Sequence, residues 1–190
     1  NYVEIDNNES IISAEFEARK QARSLLDFVQ QYLPGCRNAR ICAMGDYIGI
    51  RESRRIMGEY VLTREDVLSG ARFDDAIGCG AYPIDKHKSG EQGDEEILDD
   101  VWIELQDAYD FSYRCLLPLG IDNLLVAGRP ISTTHDAMAS TRLMVHCMVT
   151  GQAAGVAAGI STQTGKKPKD IDIKFLQKEL KKQNVFIRSS

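Results

Sequence analysis

Between Ser13 and Leu33 apolar residues recur every three or four positions: Phe16, Ala18, Ala22, Leu25, Leu26, Val29 and Leu33. That spacing predicts an amphipathic helix with Ser13 as its N-cap and Pro34-Gly35 as its stop. From Ile41 to Leu62, β-branched and aromatic residues punctuated by Gly45, Gly49 and Gly58 predict strands. Thr63 and Asp66 form a T-x-x-D capping pattern for a short helix over 64–69. The stretch from Ile84 to Asp100 is polar, glycine-bearing and acidic, and is expected to be the most mobile. Over 101–117 Phe111, Tyr113, Cys115 and Leu117 alternate, which predicts strands again. Leu124, Leu125, Val126 and Ala127 form a continuous apolar run, as in a strand covered on both faces, and Gly128 ends it. A long Ala/Gly-rich helix is expected over 137–160, with Ser140, Thr141 and Arg142 near its start. After a linker over 165–168, Asp172 is the expected cap of a lysine-rich helix to Gln183, and Val185 to Arg188 reads as a last short strand.

Together these elements predict an α+β chain. A mixed or antiparallel sheet from residues 41 to 117 would be flanked by helices, with the three long ones (13–33, 137–160 and 172–183) packed on one side. Gly151, Gly155 and Gly159 fall four apart and share a helix face with Ala154 and Ala158. Small residues so arranged suit close packing on a neighbouring sheet. Arg142, His146 and Gln152 and the lack of a long apolar run exclude a membrane dimer motif.

Composition narrows the functional classes. The 190 residues carry a net charge of −5, which argues against a phosphate-tracking nucleic-acid protein. No apolar run is long enough to span a bilayer, so no membrane partner is expected. The first ten residues are polar and acidic, unlike a secretory signal, and Asn1 in place of Met suggests a piece of a longer protein. Five cysteines with no C-x-x-C pair read as free thiols in a reducing, cytoplasmic setting.

Four features carry candidate chemistry. The start of the helix over 137–160 would offer free N–H groups and a positive dipole end to an anion or an electron-rich ring edge. Arg51, Arg54 and Arg55 crowd five positions of an acidic protein and suit a carboxylate or phosphate; alternatively they form a salt-bridge cluster with Glu52 and Glu59. In an extended chain Arg54 and Arg55 point to opposite faces, so at most one would line a pocket. Asp85-Lys86-His87 and His135-Asp136 could hold or relay a proton, and His135 sits just before the expected helix start. Tyr109, Tyr113 and Arg114 could stack on a planar ligand, although core packing is the default for such rings. No metal site is expected. There is no nucleophile elbow, P-loop, zinc motif or G-x-G-x-x-G after a strand.

The blocks GIRESRRIMGEYVLT, FDDAIGCGAYPIDKH, YRCLLPLGIDNLLVAGRPISTTHDAMASTRLM and CMVTGQAAGVAA resemble, in order, the C-terminal part of FAD-dependent oxidoreductases with a glutathione-reductase-like nucleotide fold. The resemblance runs from about residue 10 to the end. It implies that an N-terminal βαβ unit with G-x-G-x-x-G, absent from this sequence, holds the ADP half of FAD. It implies that residues 1–120 form a substrate-type region, that 121–165 close the FAD domain, and that 166–190 add a helix and a short strand. On this resemblance Ala127, Gly128 and Arg129 lie by the pyrophosphate and ribitol. Ser140, Thr141 and Arg142 face the N1/O2 edge of the flavin ring, where a positive helix end favours its anionic reduced form. Arg54, Arg55 and His135 fall on the substrate side.

The function so implied is part of a FAD-dependent enzyme that moves a hydride between FAD and a small, possibly anionic organic substrate. On this reading the chain partners the missing half, or oligomerises to cover an orphaned strand edge, and is inactive alone. A second expectation is a non-catalytic binding module that has lost its flavin. A third, a hydrolase or lyase built on His135 and Asp136, lacks a nearby nucleophile.

Overall fold

The computed structural model describes residues 7–86 and 101–188 and is an α+β fold. His87 and most of the acidic segment expected to be mobile lie outside the described residues. The chain divides into two compact units: 1–50 with 89–97, and 51–88 with 98–190.

In the first unit, α1 (Asn8–Tyr32) begins earlier than the hydrophobic period predicts. Asn7, not Ser13, is its N-cap and accepts from the Glu9 amide at 2.9 Å. A capping oxygen overrides periodicity here, because the first-turn amides need an acceptor whether or not a core face has begun. None of the residues of α1 is buried, so its apolar stripe, with Phe16 and Leu25, is exposed. Residues 41–50 form no strand; Ile41, Met44 and Tyr47 are exposed, and without a partner strand or cover their β propensity has nothing to act on.

The second unit carries the core. Helix α2 (Arg64–Ser69) has the reciprocal capping box foreseen between Thr63 and Asp66. β1 (Ala76–Gly80) pairs antiparallel with β4 (Tyr109–Ser112), and β2 (Ile84–Lys86) pairs antiparallel with β3 (Val101–Ile103). The expected single sheet is therefore two two-stranded sheets among the described residues. Residues 51–62 contribute only isolated bridges, Gly58 with Pro118 and Leu62 with Thr133. The alternation through Tyr113 and Cys115 ends in a tight turn over Tyr113–Leu116, in which Tyr113, Cys115 and Leu116 are all buried. Asp75 draws the chain out of the strand: its carboxylate accepts from the Ser112 hydroxyl at 2.7 Å and the Arg114 amide at 3.2 Å.

Leu124–Ala127 is no strand. Val126 donates to the Leu116 carbonyl at 2.9 Å and Leu125 packs against the core, but no strand pairs with the segment and Leu124 is exposed. The helix expected over 137–160 is two helices, α3 (His135–Thr141) and α4 (Met144–Thr164), meeting at 94°. The Ser140 carbonyl, which helical geometry would offer to Met144, instead accepts from His146 Nδ1 at 3.0 Å. A side chain inserted in the hydrogen-bond ladder breaks the helix there.

Helix α5 (Ile173–Lys182) buries Leu176 and Leu180, and Asp172 caps it through the Lys174 and Phe175 amides, as its sequence predicts. Residues 185–188 do not pair as a strand. Arg188 anchors them by its side chain, donating to Asp110 at 2.8 Å and to the Gly70 and Ala71 carbonyls at 3.3 and 3.1 Å.

Glycines mark where backbones touch. A Cβ on Gly58 would stand 2.7 Å from Ser132 Cβ and 3.0 Å from the Arg114 carbonyl. Gly151, Gly155 and Gly159 instead face open space, so the close packing expected of them is absent from the described residues. Chemical denaturation should therefore separate the two kinds. Gly58→Ala is expected to cost about 1–3 kcal/mol through overpacking. Gly151→Ala should gain about 0.5–1 kcal/mol by removing a flexible residue from a helix interior.

Candidate functional site

Two groups of polar side chains meet around the ends of α3 and α4. The first surrounds the start of α3. Glu52 accepts from Arg55, and its carboxylate also lies 2.9 Å from His135 Nδ1. Arg55 Nη1 further reaches Met138 Sδ at 3.5 Å. Lys86 pairs with Asp136, and Arg64 stands 3.8 Å from the same carboxylate. Arg54 is exposed whereas Arg55 is half-buried and joins the Glu52–His135 contact. His87 lies outside the described residues.

Burial lowers the His135 pKa below the ordinary imidazole value, and the positive charges of Lys86 and Arg55 lower it further. The Glu52 carboxylate, 2.9 Å from Nδ1, orients the ring. His135 is therefore neutral at neutral pH, with Nδ1 donating to Glu52 and Nε2 left with a lone pair. Burial depresses His146 as well. Since each imidazole ionises less readily folded than unfolded, each adds stability above about pH 6.5, and the contribution is lost as pH falls toward the folded value.

The second group surrounds the start of α4. Leu143 is its N-cap and gives no side-chain hydrogen bond, so the first-turn amides are not met by a capping side chain. Arg142 donates to the Asp85 carbonyl at 2.8 Å, and its Nη2 lies 3.9 Å from the Asp85 carboxylate. Burial lowers the Arg142 pKa, and the nearby charge of Arg51 lowers it further. Arg129 reaches the Arg51 carbonyl at 3.5 Å, and its charge is felt by Cys147 in the first turn of α4. Arg129 thus meets the backbone of Arg51, and the charges of Arg51 and Arg129 are felt at Arg142 and Cys147, on either side of the Leu143 N-cap.

The other expected cofactor residues sit differently. Ser140 and Thr141 are buried in the last turn of α3, not at a helix start. The Ser140 hydroxyl lies 2.7 Å from the Tyr109 hydroxyl and also donates to the Tyr82 carbonyl. Ala127 is half-buried in the extended segment. Gly128 has φ +81, and its amide donates to Thr150 Oγ1 at 3.0 Å, so that donor is already used. Tyr109 and Tyr113 are core residues, the Tyr113 hydroxyl donating to the Pro168 carbonyl at 2.9 Å. Arg114 pairs with Asp75 and lies over the Tyr60 ring at 5.1 Å.

From the sequence Glu52 reads only as a salt-bridge partner of the arginine run, and Arg51 as one of three candidate anion-binding cations. Glu52 was findable, standing three residues before Arg55 in an arginine-rich run. The nearness of Arg51 to Arg129 and Arg142 depends on residues far apart in the chain and leaves no local signal. Thr133 Oγ1, one residue before the α3 N-cap Thr134, is buried with no hydrogen-bond partner among the described residues. Among the described residues no cluster of His, Cys, Asp and Glu is arranged to hold a metal.

Guanidinium groups, a helix start without a side-chain cap and an imidazole thus lie around α3 and α4. The chain belongs to the FAD dependent oxidoreductase family, whose model matches residues 1–180, and FAD is its cofactor. No curated protein and no solved structure matches it. The donors fit that cofactor at the start of α4. Gly128, its amide committed to Thr150, fits less well as a backbone donor to phosphate.

The His135 environment has a direct check. In proton NMR its Cε1–H should titrate below about pH 6.5, and Lys86→Met should move that midpoint upward. A midpoint above the ordinary value, or one indifferent to Lys86, would refute this electrostatic account.

Proposed function

We propose that this chain provides the flavin-edge and substrate-side residues of an oxidoreductase that passes a hydride between a small anionic organic molecule and FAD. The observation that carries the reading is the contact of Arg129 with the Arg51 carbonyl together with Arg142 standing directly before the α4 N-cap Leu143, which gives no side-chain cap. A helix N-terminus and guanidinium groups both favour negative charge, so together they support binding of the electron-rich edge of a flavin. When bound, FAD supplies the two-electron acceptor.

The chain's own residues do the rest. Arg142, fixed by the Asp85 carbonyl, directs positive charge to the start of α4. Arg55 is held by Glu52 near His135 and suits a substrate carboxylate, with Arg54 as a more exposed second cation. Neutral His135, oriented through Nδ1 by Glu52, can take a proton at Nε2 from a substrate hydroxyl or amine as the hydride leaves. Ser140 and Thr141 act from within α3 by fixing the turn before Arg142. The glutathione-reductase-like scheme assigns the ADP half of FAD to a G-x-G-x-x-G unit that these 190 residues do not contain. The exposed glycine face of α4 is consistent with a neighbour there.

Arg142→Ala tests the assignment. It should weaken FAD binding about tenfold and lower the two-electron flavin potential by on the order of 30 mV, each equivalent to about 1.4 kcal/mol. Spectroelectrochemical titration of parent and variant reads both. An unchanged affinity and potential would remove Arg142 from the flavin edge, and a protein that takes up no FAD would leave a non-catalytic binding module.

A further inference from the structure

A second concentration of positive charge lies away from this site. A cavity of about 730 Å³ is lined by Arg72, Lys174, Lys178, Lys181, Lys182 and Arg188, with Asp74 and Asp110 as its carboxylates. It shares no residue with the groups around α3 and α4. Its size falls within the range of small-molecule sites, and Phe73, Ala76 and Ile187 give it apolar wall.

Three of the lining lysines have no acidic partner among the described residues. Asp110 is spent on Arg188, a buried pair 2.8 Å apart. Lys182 pairs with Glu179. No acidic partner is found among the described residues for Lys174, Lys178 or Lys181. By contrast Lys20, Lys86, Lys167 and Lys169 each pair with a carboxylate.

The three unpaired lysines stand at i, i+4 and i+7 of α5, so they share a face. Such like-charge neighbours destabilise an isolated helix. Lys181, in the last turn, complements the helix dipole, but Lys174, in the first turn, opposes it. A solvated lysine face is the ordinary explanation for such a row. Here, though, the row lines a cavity whose walls are pinned. The Gln177 amide donates to the Asp74 and Ala76 carbonyls at 2.9 and 3.0 Å, and Arg188 ties the tail to Gly70, Ala71 and Asp110.

We infer that this cavity binds a small, multiply charged phosphate-bearing anion, held by Lys174, Lys178 and Lys181. A concave site of this volume suits a discrete molecule better than a nucleic-acid strand, which the chain's net charge of −5 would repel. The inference does not depend on the flavin reading.

Isothermal titration with inorganic tripolyphosphate, without flavin, tests it. One saturable site per chain is expected, weakening as salt rises. The variant carrying Lys174→Gln, Lys178→Gln and Lys181→Gln should bind at least tenfold more weakly while keeping its circular dichroism spectrum; all three positions are exposed. Lys166→Gln with Lys169→Gln, and separately Arg142→Ala, should leave binding unchanged. Absence of saturable binding, or equal binding by the triple variant, would overturn the inference. So would loss of binding in Arg142→Ala alone, which would move the anion to the flavin edge. Citrate binding as tightly as tripolyphosphate would overturn the phosphate assignment.

Discussion

His146 Nδ1 donates to the Ser140 carbonyl, and the candidate site depends on that hydrogen bond. The contact removes the Ser140 carbonyl from the helical ladder, so α3 ends, the chain turns through Arg142 and Leu143, and α4 starts at 94° to α3. A continuous helix would bury these amides in its own interior, whereas the break presents them at a new N-terminus. Burial holds the imidazole neutral, and accepting from Nδ1–H fixes its tautomer. The Ser140 hydroxyl, beside Tyr109, and Arg142, bound to the Asp85 carbonyl, secure the turn on both sides.

The protein is acidic overall but arranges its cations unevenly. Around α3 they are neutralised: Arg55 by Glu52, Lys86 by Asp136. Such pairs position side chains more than they stabilise the fold. At the start of α4 and along α5, cations gather instead. Concentrated like charge lowers stability, and a bound anion would offset the repulsion. The α4 residues are the ones proposed to meet the family's cofactor, and the α5 lysines line a separate cavity.

Local chemistry was legible in the sequence and long-range pairing was not. The Thr63–Asp66 capping box and the Asp172 cap follow from side chains a few residues from the amides they satisfy. The break in α3–α4 rests on a histidine six residues beyond the carbonyl it takes, inside a run of excellent helix-compatible spacing. The apolar run at Leu124–Ala127 has the composition of a buried strand, but a strand exists only with partners, and one bond to Leu116 does not make a sheet. His135 and the arginines were visible as types. Their grouping with Glu52, Lys86 and Asp85 came from folding residues 51–55, 85–86 and 129–142 together.

The most direct measurement is the visible absorption spectrum of the protein purified from its complete gene, before and after incubation with FAD and desalting. A retained flavin spectrum, lost when Arg129 and Arg142 are both replaced by alanine in a variant that still folds, is the result this account predicts. A colourless product that retains no added FAD would contradict it.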